Sequence, residues 1–269
     1  MLTAFTSDGI KVYADEVNKE DGVKYYCPEC GSELILRQGT KNIWHFAHKD
    51  DNGICVFRKY DNESIHHKQM KKTIKEIIEH NNDCLVSELE YKIGSKIADY
   101  YFEVKGKFGG IKKVAVECVQ SHTDIDVFRA KNEYYVRQGV YVMWVFNLAR
   151  FTNKDNSFKE TIRTKEIHKE CHTMYYGKVY AIDIHNKAMY AIHLDKIYKD
   201  PEFHEYYDEF GEFQERVTGG YFLKSERALN PILIKEFVVS NFKKAWDNNS
   251  LKFLPYRRNV ANVHIQKWW

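Results

Sequence analysis

No run of apolar residues in this chain is long enough to span a bilayer. Its first residues, MLTAFTSDGIKVYADE, lack the charged-then-apolar profile of a secretory signal. Both absences point away from membranes and export and toward the cytoplasm. A strong charge imbalance is also missing. With a formal net charge of +3, any contact with nucleic acid must rest on local clusters of Lys and Arg. No internal repeat or low-complexity tract is present, which excludes a repeat architecture. What remains is a chain of 269 residues, 43% hydrophobic and 29% charged, with room for one large globular domain or two smaller ones. Nineteen Tyr and sixteen Phe offer stacking surfaces as well as core. Six cysteines without a secretory signal read as thiols that bind metal rather than pair as disulfides.

The N-terminal stretch is poor in core residues and rich in metal ligands. Ala4 to Ala14 alternates like a short hairpin turning at Ser7-Asp8-Gly9. Then come a CxxC knuckle, Cys27-Pro28-Glu29-Cys30-Gly31, the run Trp44-His45-Phe46-Ala47-His48, and Cys55. Structural zinc takes four sulfur or nitrogen ligands in a tetrahedron, and Cys27, Cys30, His48 and Cys55 supply such a set. His45 competes with His48 for the third place. The alternative, unliganded cysteines in a turn beside surface histidines, leaves a small segment without the metal it needs to fold.

Further on, Ile97 to Gln120 reads as two strands joined by a glycine-bearing turn. If Lys105 and Ile111 close the ladder around Gly106–Gly110, Asp99 falls directly opposite Glu117. Facing carboxylates repel, and burying such a pair is costly unless a cation lies between them. A divalent metal with oxygen ligands answers that cost, and metal-assisted phosphodiester cleavage is the chemistry it suggests. The alternative is a hydrated strand surface, and a one-residue slip would put the acids on opposite faces. Upstream, residues 62–68 open a helix running to about His80. On it Glu63, His67 and Lys71 recur at i, i+4 and i+8 and share one face. That stripe suits a site handling phosphate and metal, or a solvated face with ordinary ion pairs. Ile65, Ile74, Ile77 and Ile78 form the apolar side.

Cys84 to Tyr91 reads as a strand. Asp124 to Gln138 reads as a helix capped by Ser121 or Thr123, with Phe128 and Tyr135 apolar. After Gly139, Val140 to Phe146 reads as a buried strand. Helix, three strands, helix, strand makes a mixed α/β core with the last strand parallel to its neighbour. Leu148 to Thr173 lacks clear periodicity and reads as a loop. Tyr175–Asp183 and Ala188–Leu194 read as a second hairpin. Asp200 to Glu215 is acidic and aromatic and suggests no chemistry. Glu226 to Trp246 reads as a helix despite Pro231. The tail beyond Asp247 has no acid. Its Lys252, Arg257, Arg258 and Lys267, beside Tyr256, Trp268 and Trp269, suit a grip on nucleic acid or simple docking on the core.

The series CPECG, HFAH, ES-I-H-H then Lys71, IAD and VECVQS, with Arg129, Tyr134 and VYVMWVF, resembles the CoiA-like competence-protein family over roughly residues 1–150. The resemblance implies an α/β (α+β) fold: a zinc-binding CCHC module at 1–60, a PD-(D/E)XK restriction-endonuclease-like core at 61–150 and an accessory region at 151–269. Members are associated with bacterial DNA uptake and processing, and related nucleases occur in phage-defence (antiviral) and restriction systems. By the same resemblance Glu63 is the helix glutamate, and His67 and Lys71 complete that motif. Asp99 is the metal-binding aspartate, and Glu117 is the acid of an E-x-Q or E-x-K element. Here the chain departs, because Val119 stands two residues after Glu117. Gln120 comes one step later, on the opposite face of a regular strand. A β-bulge near Cys118 would return Gln120 to the site. Otherwise Lys71 or Lys113 supplies the cation.

The expected activity is that of a Mg²⁺- or Mn²⁺-dependent deoxyribonuclease acting on DNA. Glu63, Asp99 and Glu117 hold the catalytic metal, and Gln120, Lys71 or Lys113 steadies the developing charge. His67 orients a carboxylate or touches phosphate, and the zinc is structural. The departure at Val119 favours a second expectation, a DNA-binding or adaptor subunit that keeps the fold without cleaving. A third is a nuclease active only with other defence or recombination proteins.

Overall fold

In the N-terminal region the alternating pattern becomes β1 (Thr3–Thr6) and β2 (Lys11–Tyr13), an antiparallel pair with Thr3 opposite Tyr13. The computed structural model describes residues 1–19, 22–40, 42–50, 55, 63–81, 84–106, 109–120, 123–175 and 177–234, with 224 and 226–234 described by backbone alone. β3 (Tyr25–Tyr26), β4 (Glu33–Arg37) and β5 (His45–His48) complete a five-stranded sheet in the order β2-β1-β3-β4-β5. Its small core includes Ala4, Tyr25, Leu34 and Phe46, and Ile97 from the following region closes it. The module therefore borrows apolar surface as well as offering metal ligands.

Residues from Ile65 on form α1 (Ile65–Asn81), with Met70, Ile74, Ile77 and Ile78 buried along one side. Three antiparallel strands follow: β6 (Cys84–Ile93), β7 (Lys96–Lys105) and β8 (Ile111–Val119). The β7–β8 register runs from Lys105 opposite Ile111 to Tyr100 opposite Val116, so Asp99 and Glu117 are the next pair. α2 (Ile125–Arg137) then crosses to β9 (Tyr141–Asn147), which lies parallel to β8. Asp124 caps α2, its Oδ1 accepting from Asp126 N at 2.8 Å, in place of the expected Thr123; Ser121 lies outside the described residues.

The sheet crosses residue 150 without a break. A 3₁₀ turn (Leu148–Arg150), β10 (Ile162–Arg163) and α3 (Glu166–Met174) stand where a loop was expected. The polar stretch hides an i, i+4, i+7 stripe, Ile167, Cys171 and Met174, all buried. β11 (Val179–Asp183) pairs in parallel with β9 and antiparallel with β12 (Ala188–Lys199). β13 (Glu202–Tyr207) and β14 (Phe213–Thr218) make a separate hairpin. β15 (Tyr221–Ile234) returns along β12, which corrects the expected helix from Glu226; residues 235–246, and the basic tail beyond Asp247, lie outside the described residues. Pro231 is tolerated because it falls at the register shift between Ala191 and His193, where a missing donor breaks no regular ladder bond. The result is an eight-stranded sheet ordered β10-β15-β12-β11-β9-β8-β7-β6 in a mixed α+β chain. Among the described residues no helix is long and apolar enough to cross a membrane.

Candidate active site

α1 packs against β6, β7 and β8, and its polar stripe turns inward. Lys71 is fully buried, and Asp99 and Glu117 are each 3% exposed, so the hydrated-surface alternative does not hold. His67 stands between two acids: Nδ1 is 3.2 Å from Glu63 Oε1, and Nε2 is 3.1 Å from Asp99 Oδ2. Asp99 Oδ2 also accepts from the backbone N of Cys118 at 2.8 Å. Lys71 Nζ lies 2.9 Å from both Glu63 Oε2 and Glu90 Oε1. Glu63 thus has an imidazole and an amine beside it, yet neither contact has hydrogen-bond alignment, and both its oxygens are buried.

Three residues of this site, Glu90, Lys131 and Tyr135, carry no motif in the sequence. The pairs Leu89–Tyr100 and Tyr91–Ala98 flank Glu90 and set it beside Asp99, so Glu90, Asp99 and Glu117 form one row across β6, β7 and β8. Glu90 takes φ +51, a left-handed conformation that costs a non-glycine residue about 1 kcal/mol or more. Its carboxylate accepts from Leu2 N, Thr3 N and Thr3 Oγ1 as well as from Lys71, tying the N-terminal sheet to the site. On the other side, Lys131 Nζ is 2.6 Å from Glu117 Oε2, and Tyr135 OH donates to Glu117 Oε1 at 2.8 Å. Lys131 and Tyr135 are i, i+4 on α2, whose orientation is fixed by Trp144 Nε1 donating to Asn132 Oδ1 at 2.7 Å. The stripe 128, 131, 132 and 135 was readable, but only its apolar members stood out.

Burial works to raise Glu90, Asp99 and Glu117, and the neighbouring charges decide the outcome. Asp99 is held well below the usual carboxylate range: burial raises it, but His67, Lys71 and Lys131 together outweigh that. Glu90 comes down to about 2 as Lys71 overcomes burial. Glu117 stays raised, since burial and the neighbouring Asp99 outweigh Lys131. Burial lowers His67 and Lys131, but Asp99 and Glu117 respectively more than reverse that. Four carboxylates therefore face two amines and one imidazole.

The other expected site residues lie as follows. Gln120 follows the end of β8, its carboxamide oxygen accepting from Ser64 Oγ at 3.2 Å. The β8–β9 register runs unshifted from Val114 to Val119, so the bulge near Cys118 is not formed. Lys113 is half exposed, 3.9 Å from Glu103 on β7, and pairs toward the hairpin turn, away from Glu117. The cations at the acids are Lys71 and Lys131. Glu63, Asp99 and Glu117 do not gather into one tight cluster; Asp99 instead lies with His67 and Cys118, whose ligand atoms come within 4.8 Å of one another.

In the N-terminal sheet the ligand atoms of Cys27, Cys30, His48 and Cys55 all lie within 4.8 Å of one another. Cys27 Sγ is 3.6 Å from Cys55 Sγ, and Cys30 Sγ is 3.5 Å from His48 Nε2. Hydrogen bonds with Ser32 and His48 bring Cys30 down to about 6 against the effect of burial, toward the thiolate form that binds metal. His45 turns away, its Nδ1 2.8 Å from the carbonyl of Ile43. This set could hold zinc.

Residues 11–57 match the family model of the competence protein CoiA N-terminal domain. Residues 63–206 match that of the competence protein CoiA nuclease-like domain. Competence protein CoiA of Bacillus subtilis (strain 168) is 23% identical over 135 residues, 50% of this chain and 34% of that protein. The match thus spans about a third of that relative's length. The solved structure of Pyrococcus furiosus SfsA in complex with Ca²⁺ is similar at 14% identity, covering 53% of this chain and 66% of that one. Its TM-score of 0.23 is too low to carry an argument. The nuclease-like match alone covers more than half of the residues, and the chain belongs to the competence protein CoiA family.

Proposed function

We propose that this chain is a divalent-metal-dependent nuclease of the PD-(D/E)XK type that cleaves DNA. The buried row of acids across three adjacent strands, faced by helices that deliver Lys71 and Lys131, carries the reading. The donor set fits a hard cation. The carboxylates outnumber the amines, all are buried, and Glu63 keeps two oxygens without an aligned hydrogen bond. Though they do not gather into one tight cluster, Glu63, Asp99 and Glu117 would hold Mg²⁺ or Mn²⁺ between them, which when bound activates water and offsets phosphate charge.

The protein's own groups do the rest. His67 holds the carboxylates of Glu63 and Asp99 in place from one ring. Lys131 supplies beside Glu117 the amine that Val119 cannot, positioned to steady charge developing on a phosphate. Lys71, locked between Glu63 and Glu90, offsets the buried charge. Cys27, Cys30, His48 and Cys55 hold a structural zinc, and the region after residue 150 widens the sheet around the core.

The test is cleavage of plasmid and single-stranded DNA with Mg²⁺, Mn²⁺ or EDTA, alongside Mn²⁺ titration by calorimetry. Cutting should need metal, vanish in Asp99→Asn, and fall about 100-fold or more in Lys131→Met, the size of loss seen when one such stabilising group is removed. Lys131→Met should still bind Mn²⁺. A second reading, a DNA-binding adaptor, is favoured by Val119 and by Lys131 being engaged with Glu117. It is the correct one if the wild type binds DNA but neither binds Mn²⁺ nor cuts.

A further inference from the structure

Between β12 and β15 the chain leaves the large sheet as the β13–β14 arm, paired from Glu202–Thr218 at its base to Tyr207–Phe213 near its tip. The tip is tightly built. Asp208 N donates to Glu212 O at 3.0 Å, and Asp208 Oδ1 accepts from Phe210 N at 3.0 Å and Glu212 N at 2.9 Å. The base is equally fixed: at Gly219, φ +92, a Cβ would stand 1.9 Å from the carbonyl oxygen of Asp200. Even so, β13 is exposed along its whole length and β14 at four of its six residues. A bare two-stranded hairpin is marginal in water, and exposed aromatic surface of this kind marks an interaction site.

Directly opposite residues share a face, so one side of the arm carries Phe203, Glu205, Tyr207, Phe213, Glu215 and Val217. Phe203 is 79% exposed and Tyr207 72%. Glu205 faces Glu215 between two apolar pairs, Phe203–Val217 and Tyr207–Phe213. Like charges directly opposite each other weaken a ladder. Among the described residues, neither carboxylate forms an ion pair. Across the hairpin six acids stand against the single Arg216, which repels phosphate backbones, anionic headgroups and a second copy of the same arm. A guanidinium or ammonium is the group that answers both features. It bridges two carboxylates and lies against aromatic rings, here Tyr207 and Phe213 with centroids 5.7 Å apart.

We propose that the β13–β14 arm is a docking surface for a basic protein segment, an arginine or lysine of which enters between Glu205 and Glu215 against Tyr207 and Phe213. Arginine fits better, because its planar fork can bond both carboxylates while stacking on a ring. The surface is independent of the nuclease reading, since none of its residues belongs to the buried acid site.

The experiment uses the full chain and short fluorescent peptides alternating Ser with Arg, Lys or Glu, read by anisotropy, with duplex DNA as a parallel probe. The Arg peptide should bind best, the Lys peptide more weakly and the Glu peptide not at all. The double variant Glu205→Gln with Glu215→Gln should weaken Arg-peptide binding about tenfold or more, and Tyr207→Ala should do likewise. Glu202→Gln, on the opposite face, should change it little. The double variant removes a like-charge repulsion, so the hairpin keeps its fold, and hydrogen exchange of the arm checks this. Undiminished peptide affinity in the double variant overturns the proposal. So does an arm variant that loses DNA binding instead, or one that abolishes self-association of the chain.

Discussion

The Cys/His set and the buried row of acids are built in opposite ways. The N-terminal set comes from one short stretch, and its four side chains turn toward one another with little apolar core around them. The carboxylate row draws on β6, β7 and β8 and sits in the large core, each acid already matched by Lys71, His67 or Lys131. Zinc bound there would supply stability that so small an apolar core does not. A site in which most acids are answered by protein side chains keeps its shape without a metal. Metal removal should therefore affect the two regions very differently.

The largest expected effect is at the first cluster. Chelation, or Cys30→Ser, should release one zinc by native mass spectrometry and unfold the N-terminal sheet, forfeiting on the order of 10 kcal/mol of metal-linked stability. His48→Ala should lose zinc as well, whereas His45→Ala should keep it, because His45 Nδ1 is turned to Ile43. Hydrogen exchange of β3 to β5 after chelation is the direct readout. Full protection there would erase the contrast between the two regions.

Next comes the buried pair behind the acid row. Lys71→Met removes the amine shared by Glu63 and Glu90 and should cost about 3–5 kcal/mol in denaturant unfolding. Glu90 also predicts a pH dependence. Its folded value of about 2 lies below the ordinary value of 4.5, so its contribution is complete above the unfolded value and is lost as pH falls toward 2. The size is on the order of 3 kcal/mol, and Glu90→Gln should flatten that part of the acid limb. An unchanged acid limb in the variant would mean that the strand contact at Leu2 and Thr3, not the charge, holds Glu90.

The smallest effect separates two acids that look equivalent in the sequence. Asp99 is held low by His67 and accepts from Cys118 N, so Asp99→Asn should lower the melting temperature by a few degrees. Glu117 stays raised by burial and by Asp99, so Glu117→Gln should leave the metal-free melting temperature nearly unchanged. Added Mn²⁺ should stabilise the wild type and barely move either variant, since a ligand stabilises only the state that binds it. Equal behaviour of the two variants without metal would show that the row is not split in this way.

Much of this was legible because it is local. The pairing of Asp99 beside Glu117 followed from a turn with glycines and a period-2 pattern, and the register observed is the one that pattern requires. His67 and Lys71 share a helix face as their spacing requires, whereas Glu63, expected on the same helix, stands two residues before α1 and still reaches both. The Cys/His set followed from a CxxC knuckle. The misreadings share another cause. α3 looked like loop because its buried stripe is only nine residues long amid polar neighbours. β15 looked helical because its partner, β12, lies elsewhere in the chain and no local pattern announces that pairing.

By itself the sequence determined what short-range geometry dictates: which acids share a strand pair, which groups share a helix face, and which thiols lie within reach of one another. Only the tertiary structure decided which cation answers which acid. Lys131 reaches Glu117 because α2 crosses back over the sheet to pair β9 with β8, and Trp144 and Asn132 set the helix rotation. Glu90 enters the row because its backbone turns left-handed and the N-terminal strand closes over its carboxylate. Both depend on packing between segments far apart in the chain, where burial strengthens each charge contact and the local pattern carries no trace of the partner.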